Sequence, residues 1–171
     1  TETVALLIKR GANVNAANND GKTALMTATR FGRTEMARML LDRGADVDAV
    51  ESSGWTALIL AAIHGITETA AMLLDRGANV NTAAKSGNTA LCRAAQSGRT
   101  EMVMVLLEAG AEVNKASNDG YTPLHWAAYW DHTEIATPLL DRGANVAAVN
   151  NNGETALMYA AKEGKTETVA L

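Results

Sequence analysis

The chain has 171 residues, of which 47% are hydrophobic and only 4% aromatic, so close-packed, alanine-rich helices are favoured over a β-sandwich core. Its formal net charge is −4, and Lys and Arg are spread along the chain without a basic stripe, which argues against a nucleic-acid partner. The longest apolar run, residues 57–63, is far too short to cross a bilayer, and we expect no membrane insertion. No signal peptide is visible after Thr1, so we expect an intracellular, cytoplasmic location. The single Cys92, which cannot form an internal disulfide, agrees with a reducing compartment.

The glycines show that the chain is an internal repeat with a period of 33 residues. All fourteen fall into three columns. The first column is Gly21, Gly54, Gly87, Gly120 and Gly153; the second is Gly32, Gly65, Gly98 and Gly164, with Asp131 in the vacant place; the third is Gly11, Gly44, Gly77, Gly110 and Gly143.

The elements of one unit follow in chain order. Asn-Asp-Gly at residues 19–21 predicts a tight turn, and the apolar stretch 23–28 predicts a first helix that ends at Gly32 in the left-handed conformation. Thr34 is predicted to be the N-cap of a second helix, with an apolar stripe at helical spacing, and Gly44 closes that helix. The same prediction places N-caps at Thr67, Thr100, Thr133 and Thr166.

One segment identifies the type of repeat. Residues 120–128 read Gly-Tyr-Thr-Pro-Leu-His-Trp-Ala-Ala, and the other units keep Gly-x-Thr-Ala-Leu. With the 33-residue helix pair, this motif resembles the ankyrin repeat over the entire chain. The resemblance implies an all-α fold, an α-solenoid with short β-hairpin or turn fingers. Residues 1–171 then form a single solenoid, with full repeats at 18–50, 51–83, 84–116 and 117–149 and partial repeats at 1–17 and 150–171.

The two ends carry a repeated hexamer. Thr-Glu-Thr-Val-Ala-Leu occupies residues 1–6 and again residues 166–171, and neither end carries a polar capping repeat. We expect either a longer array or something that covers the ends. A super-period of five repeats and end-to-end stacking of copies both account for the hexamer; so does coincidence in a helix whose Thr and Glu are set by capping.

The resemblance also indicates which side chains are free to bind. Ankyrin-like units bind partner proteins through the finger tips and through the concave surface of the first helices. These positions vary in polarity between repeats, whereas the column of Leu25, Leu58, Leu91, Leu124 and Leu157, which we expect to be buried in the core, does not vary. The alternative for the aromatic residues is packing on one another or on a neighbouring finger. The predicted contact residues are Phe31, Trp55, Ile63, His64, Tyr121, Trp126, Tyr129 and Trp130.

Catalytic and metal-binding interpretations have little support. His125 stands in the Thr-Pro-Leu-His motif, where the family uses it for structural hydrogen bonds, while His64 and His132 lack a second ligand at helical spacing. Cys92 shares a column with Met26, Ile59, His125 and Met158, which favours packing over a nucleophilic role. We expect no metal, no cofactor and no enzymatic activity.

Three residues of the fourth full repeat depart from the pattern. Asp131 replaces a left-handed glycine, Pro138 removes one helical hydrogen bond, and Ala147 replaces an Asn or Asp. Such a cluster is typical of a functional or strained site, and drift in a tolerant array explains it almost as well.

The predicted function is a non-catalytic scaffold that binds another protein. Two alternatives are head-to-tail self-assembly into a filament or ring, and service as a targeting segment of a larger multidomain enzyme.

Overall fold

The computed structural model describes residues 2–162, and within them ten short helices alternate with turns. The repeated hexamer at 166–171 and Gly164 lie outside these residues. The helices are α1 (Glu2–Lys9), α2 (Ala24–Arg30), α3 (Thr34–Asp42), α4 (Ala57–His64), α5 (Thr67–Asp75), α6 (Ala90–Gln96), α7 (Thr100–Glu108), α8 (Pro123–Tyr129), α9 (Thr133–Asp141) and α10 (Ala156–Lys162).

The helices form two rows. We call α2, α4, α6, α8 and α10 the inner helices, and α1, α3, α5, α7 and α9 the outer helices. Consecutive inner helices contact one another, as do α3, α5, α7 and α9, and each inner helix from α2 to α8 contacts the outer helix that follows it. This arrangement is the predicted helical solenoid, which is confirmed.

The core runs between the two rows. The invariant leucine column is buried at Leu25, Leu58, Leu91 and Leu124. At Leu157 the expectation of a buried leucine is wrong, because this side chain is 57% exposed. Among residues 2–162 no helix packs on the far side of α10.

Threonine caps the inner helices, not the outer ones. Thr23, Thr56, Thr89 and Thr122 have extended backbones, and each side chain accepts a hydrogen bond from the third residue of its helix. The predicted N-caps of the second helices are wrong at Thr34, Thr67, Thr100 and Thr133. These threonines are the first helical residues, and the residue before each gives no side-chain cap. A side chain caps only from a non-helical backbone, so these four threonines cannot serve.

Removing a threonine that caps an inner helix should lower the free energy of unfolding more than removing a threonine at the start of an outer helix, which does not cap. Thr89→Ala deletes the acceptor for the Cys92 amide, 3.3 Å away, and should lower the free energy of unfolding by about 1 kcal/mol. Thr100→Ala is the matched control and should cost at most about 0.5 kcal/mol. Urea unfolding of both variants measures the difference, and equal losses would contradict this assignment of the caps.

The second glycine column adopts the predicted left-handed backbone. Gly32, Gly65 and Gly98 have φ of 62°, 70° and 68°. Asp131, which takes the place of glycine, follows them with φ 57° and is the one non-glycine residue with positive φ among residues 2–162. The repeat geometry therefore holds this aspartate in a conformation that costs an ordinary residue about 1 kcal/mol. Pro138 lies inside α9, which nevertheless runs on to Asp141.

The fingers are turns rather than β-hairpins. No strand forms in the part of the chain that is described; isolated antiparallel bridges join Ala17 to Thr23, Ala83 to Thr89 and Val149 to Thr155. Neighbouring fingers are tied together by backbone hydrogen bonds of 2.7–3.0 Å. The donor amides and acceptor carbonyls are Ser52 to Asp20, Lys85 to Ser53, Asn118 to Ser86, and Asn151 to Asp119.

A second ladder joins the loops that follow the outer helices. Side-chain oxygens of one repeat accept hydrogen bonds of 2.8–3.0 Å from backbone amides of the next repeat. The accepting residues are Asn15, Asp48, Asn81 and Asn114, the column in which Ala147 lacks a polar side chain. The two ladders fix the position of each finger relative to its neighbours.

Candidate functional site

The exposed side of the inner helices and the adjoining fingers form the surface on which the eight predicted contact residues lie. We call it the inner face. Positions 33 residues apart stack along this face from one inner helix to the next. One such column contains Thr27, Leu60, Arg93, Trp126 and Tyr159, and the next contains Arg30, Ile63, Gln96, Tyr129 and Lys162.

Four of the predicted residues line one cavity, which we call the inner groove. Phe31, Trp55, Ile63 and His64 surround a volume of about 450 Å³ between α2, α4 and the two fingers beside them. Phe31 is 64% exposed, and Trp55 and Ile63 are half-buried against the core. The groove therefore offers apolar surface that a partner side chain could cover.

Cations flank the aromatic rings of the groove. The guanidinium carbon of Arg30 lies 6.0 Å from the centre of the Phe31 ring, and that of Arg93 lies 5.7 Å from the centre of the Trp55 ring. Lys22 also lines the groove. These contacts orient Trp55 and give the apolar groove a positively charged border.

The other four predicted residues contact one another. The rings of Tyr121 and Trp126 stack with centres 4.9 Å apart, and those of Tyr129 and Trp130 meet edge to face at 5.1 Å. The ring of Tyr159 lies 5.6 Å from those of Tyr121 and Tyr129. We call these five residues the aromatic cluster. Trp130 remains 51% exposed, whereas Tyr121, Trp126 and Tyr129 are half-buried.

Tyr159 anchors the cluster and was not among the predicted contact residues. It is buried; the Tyr121 hydroxyl lies 2.5 Å from its oxygen, and the Asn150 amide donates to that oxygen at 3.0 Å. Its own hydroxyl donates to the Glu154 carboxylate. The Asn150 amide also donates to the Glu154 carboxylate, at 3.2 Å. The hydrogen bond from Tyr159, followed by this one from Asn150, holds the pKa of the Glu154 carboxyl below its usual value, while burial and the carboxylate raise the pKa of Tyr159. The signal in the sequence was its place in the column of Trp126.

His125 supports the fold beneath the cluster. Its Nδ1 accepts from the Thr122 amide at 3.2 Å, and its Nε2 lies 3.1 Å from the Glu154 carbonyl oxygen. These partners require the neutral tautomer with the proton on Nε2. Burial lowers the pKa of the His125 imidazole, and the bond to Glu154 opposes that effect.

Because of His125, the free energy of unfolding is expected to decrease when the pH is lowered. Because its folded pKa lies below its unfolded value, the neutral ring stabilises the fold fully above about pH 6.5, and the contribution is lost as pH falls from there towards the folded pKa. Unfolding midpoints from about pH 8 to about pH 5 measure the effect. His125→Gln should flatten the profile in this window, whereas a substitution of the exposed His64 should leave it in place; an unchanged profile in His125→Gln would contradict the assignment.

Among residues 2–162 no group of three His, Cys, Asp or Glu side chains is arranged to hold a metal ion. Cys92 is fully buried, burial raises the pKa of its thiol, and the thiol donates to the Lys115 carbonyl oxygen at 3.4 Å. None of the described helices combines the length and apolar character needed to span a bilayer.

Paired helices repeated every 33 residues, with the variable side chains gathered on one face, define a solenoid repeat protein. A family model described as "Ankyrin repeats (3 copies)" matches residues 1–84, 48–117, 82–150 and 110–171. The chain belongs to the ankyrin-repeat family, as its sequence motif predicted. Ankyrin repeats generally mediate protein–protein interaction, and the family is typically non-catalytic. Comparison with curated proteins found no significant match.

Proposed function

We propose that the protein is a non-catalytic scaffold that binds a partner protein through its inner face, with the inner groove as the main contact. The observation that carries this proposal is the grouping of Phe31, Trp55, Ile63 and His64 around one apolar cavity. Aromatic residues in a pocket are the usual anchors of an interface, because covering one ring removes about 150–250 Å² from water.

The aromatic cluster takes a different part in this proposal. Trp130 is its exposed member and would extend the contact surface beyond the groove. Tyr121, Trp126 and Tyr129 would support Trp130 and the middle of the inner face, because their rings already contact one another or Tyr159.

Rigid display is the proposed mechanism. Backbone hydrogen bonds join each finger to the next, and the Asn and Asp side chains join successive loops. The side chains of the groove are therefore positioned before binding, which reduces the ordering cost that association would otherwise incur.

Site-directed photo-crosslinking in cells that make the protein tests the proposal. A photoreactive phenylalanine analogue in place of Phe31 should form a covalent adduct with a partner protein. The same analogue in place of Met104, an exposed residue of the outer helix α7, should not. Trp55→Ala in the Phe31 reporter should reduce the adduct about tenfold. Equal adducts from both positions would contradict binding through the inner face.

End-to-end self-assembly is a second candidate, favoured by exposed apolar side chains at both ends of the described solenoid. Leu6 and Leu7 on α1 and Leu157 and Met158 on α10 are each 53–57% exposed. If copies stack, the mass measured by light scattering should rise with concentration, and Leu157→Lys should abolish the rise. A constant mass would reject self-assembly. The third hypothesis, a targeting segment of a larger enzyme, is tested by the sequence of the full-length protein.

A further inference from the structure

The described inner helices carry cations without carboxylates, whereas the outer helices carry carboxylates and have arginines such as Arg43, Arg76 and Arg142 at their ends. Within the described residues the inner helices contain no Asp or Glu, and their cationic side chains are Arg30, Arg93 and Lys162. The outer helices contain two basic residues, Lys9 and Arg38. Their acidic residues are Glu2, Glu35, Asp42, Glu68, Asp75, Glu101, Glu108, Glu134 and Asp141.

The acidic residues of the fingers offset little of the positive charge that the inner helices carry beside the groove. Glu51 is buried and accepts hydrogen bonds from the amides of its own turn, and Glu154 accepts from Tyr159. Asp20 pairs with Lys22 at 3.3 Å, and Asp119 stands at an exposed tip. The inner face is therefore positive beside the groove, although the whole chain carries a net charge of −4.

Arg93 is the central cation of this face, and its hydrogen-bonding capacity is mostly unused. One nitrogen donates to the Gln96 side-chain oxygen at 2.7 Å, while Nε is buried without an acceptor. No carboxylate among residues 2–162 forms an ion pair with it. Burial lowers the pKa of its guanidinium, the expected effect of removing water from an uncompensated cation.

A second donor without an acceptor lies on the next inner helix. Trp126 occupies the position of α8 equivalent to Arg93 of α6, and its indole N–H is buried without a partner. Unsatisfied buried donors are uncommon in folded proteins, and two at equivalent positions of adjacent helices indicate a place for an external acceptor. Both nitrogens are covered in the free chain, so contact requires the half-buried side chains of Arg93 and Trp126 to move.

We infer that the inner face recognises an acidic segment of its partner protein, with an aspartate or glutamate carboxylate accepting hydrogen bonds from Arg93 and Trp126. A planar guanidinium can bind a carboxylate through two parallel hydrogen bonds, so this pairing suits a peptide side chain. Trp55 contacts Arg93 on one side and lines the inner groove on the other. The acidic residue of the segment is thus followed or preceded by an apolar residue that enters the groove.

A nucleic acid fits this face poorly. Binding of a phosphate backbone usually draws on many cations, whereas the inner helices offer three, and the outer helices are strongly acidic. The inference rests on the proposed scaffold function and adds the chemistry of the partner.

Selection of peptides tests the inference. The whole chain is immobilised and screened against random linear peptides displayed on phage. Enriched sequences should contain Asp or Glu beside an apolar or aromatic residue. Selected peptides are then synthesised with amidated C-termini, so that a side chain is the only source of carboxylate, and their affinities are measured by fluorescence anisotropy.

Matched variants identify the contact. Arg93→Gln should weaken binding at least about tenfold, and Trp126→Phe, which keeps the ring but removes the N–H, should weaken it less. Arg38→Gln makes the same charge change on the outer helix α3 and should leave affinity unchanged. Replacing the acidic residue of the peptide by its amide should weaken binding to the wild-type chain and should have a much smaller effect on binding to Arg93→Gln, in which only the Trp126 N–H remains. Circular dichroism shows whether each variant is folded. If Arg93→Gln does not fold, Arg93→Lys takes its place, because lysine keeps the charge but cannot form two parallel hydrogen bonds to a carboxylate.

The possible results separate the inference from the function on which it rests. Peptides that lack acidic residues, bind equally to Arg93→Gln and lose affinity in Trp55→Ala would overturn the acidic partner and keep the inner groove. Peptides indifferent to both Arg93→Gln and Trp55→Ala, or a screen without binders, would count against the proposed function as well.

Discussion

Leu91→Ala is expected to lower the free energy of unfolding by about 2–5 kcal/mol, the range for leucine truncation in a packed core. Leu91 lies on α6, the middle inner helix, and is fully buried. Truncation removes apolar contacts and leaves a cavity that the helices on either side, α4 and α8, cannot readily close.

The repeat supplies its own control for this substitution. Leu157 stands in the same column and on the same kind of helix, but it is 57% exposed. Leu157→Ala should therefore cost no more than about 1 kcal/mol. Urea unfolding followed by circular dichroism measures both variants, and similar losses at the two sites would show that burial does not differ as described.

Gly87→Ala is expected to destabilise the chain by about 3 kcal/mol or more, since it combines backbone strain with a clash. Gly87 has φ +79°, a conformation that alanine adopts only at a cost. A methyl group there would lie 2.5 Å from the amide nitrogen and the side-chain oxygen of Asn118. Asn118 also joins its finger to the preceding one through the Ser86 and Lys85 carbonyls, so its displacement breaks those bonds.

Gly110→Ala separates the two contributions. Gly110 has φ +84° but no heavy atom within 4 Å of an added methyl group, so only the strain of about 1–2 kcal/mol should remain. The difference between the two variants in urea unfolding measures the finger-to-finger contact. If Gly110→Ala proves as costly as Gly87→Ala, the close approach of the fingers is not what makes Gly87 necessary.

The fold could be predicted from the sequence because its period is marked by glycines, which indicate positions where the backbone turns with positive φ. Glycine at a fixed place in every repeat specifies a left-handed turn whatever surrounds it, and even Asp131 was forced into that conformation. The helix caps could not be assigned in the same way. Both threonines of a unit stand at the start of a helix, one just before it and one as its first residue, and only the backbone conformation at each one shows which side chain can cap.

The arrangement of the candidate site depended on information that the columns do not hold. The columns placed Phe31 and Trp130 on one surface, but they could not show that the first lines a cavity and the second belongs to a ring cluster. Ring packing depends on rotamers and on a residue of the following repeat, Tyr159. The charge of the inner face was hidden in the same way, because the sequence alone does not show that the inner helices, as described up to residue 162, carry cations without any acidic residue.

The burial of Cys92 has a practical consequence. It is the only thiol in the chain, and it lies fully buried on the middle inner helix. A thiol reagent can therefore react only when the central repeats transiently open. The rate of modification in native buffer reports the free energy of that opening directly. The wild-type chain thus carries an intrinsic probe of its own local unfolding, and ligand binding on the inner face should appear as slower labelling.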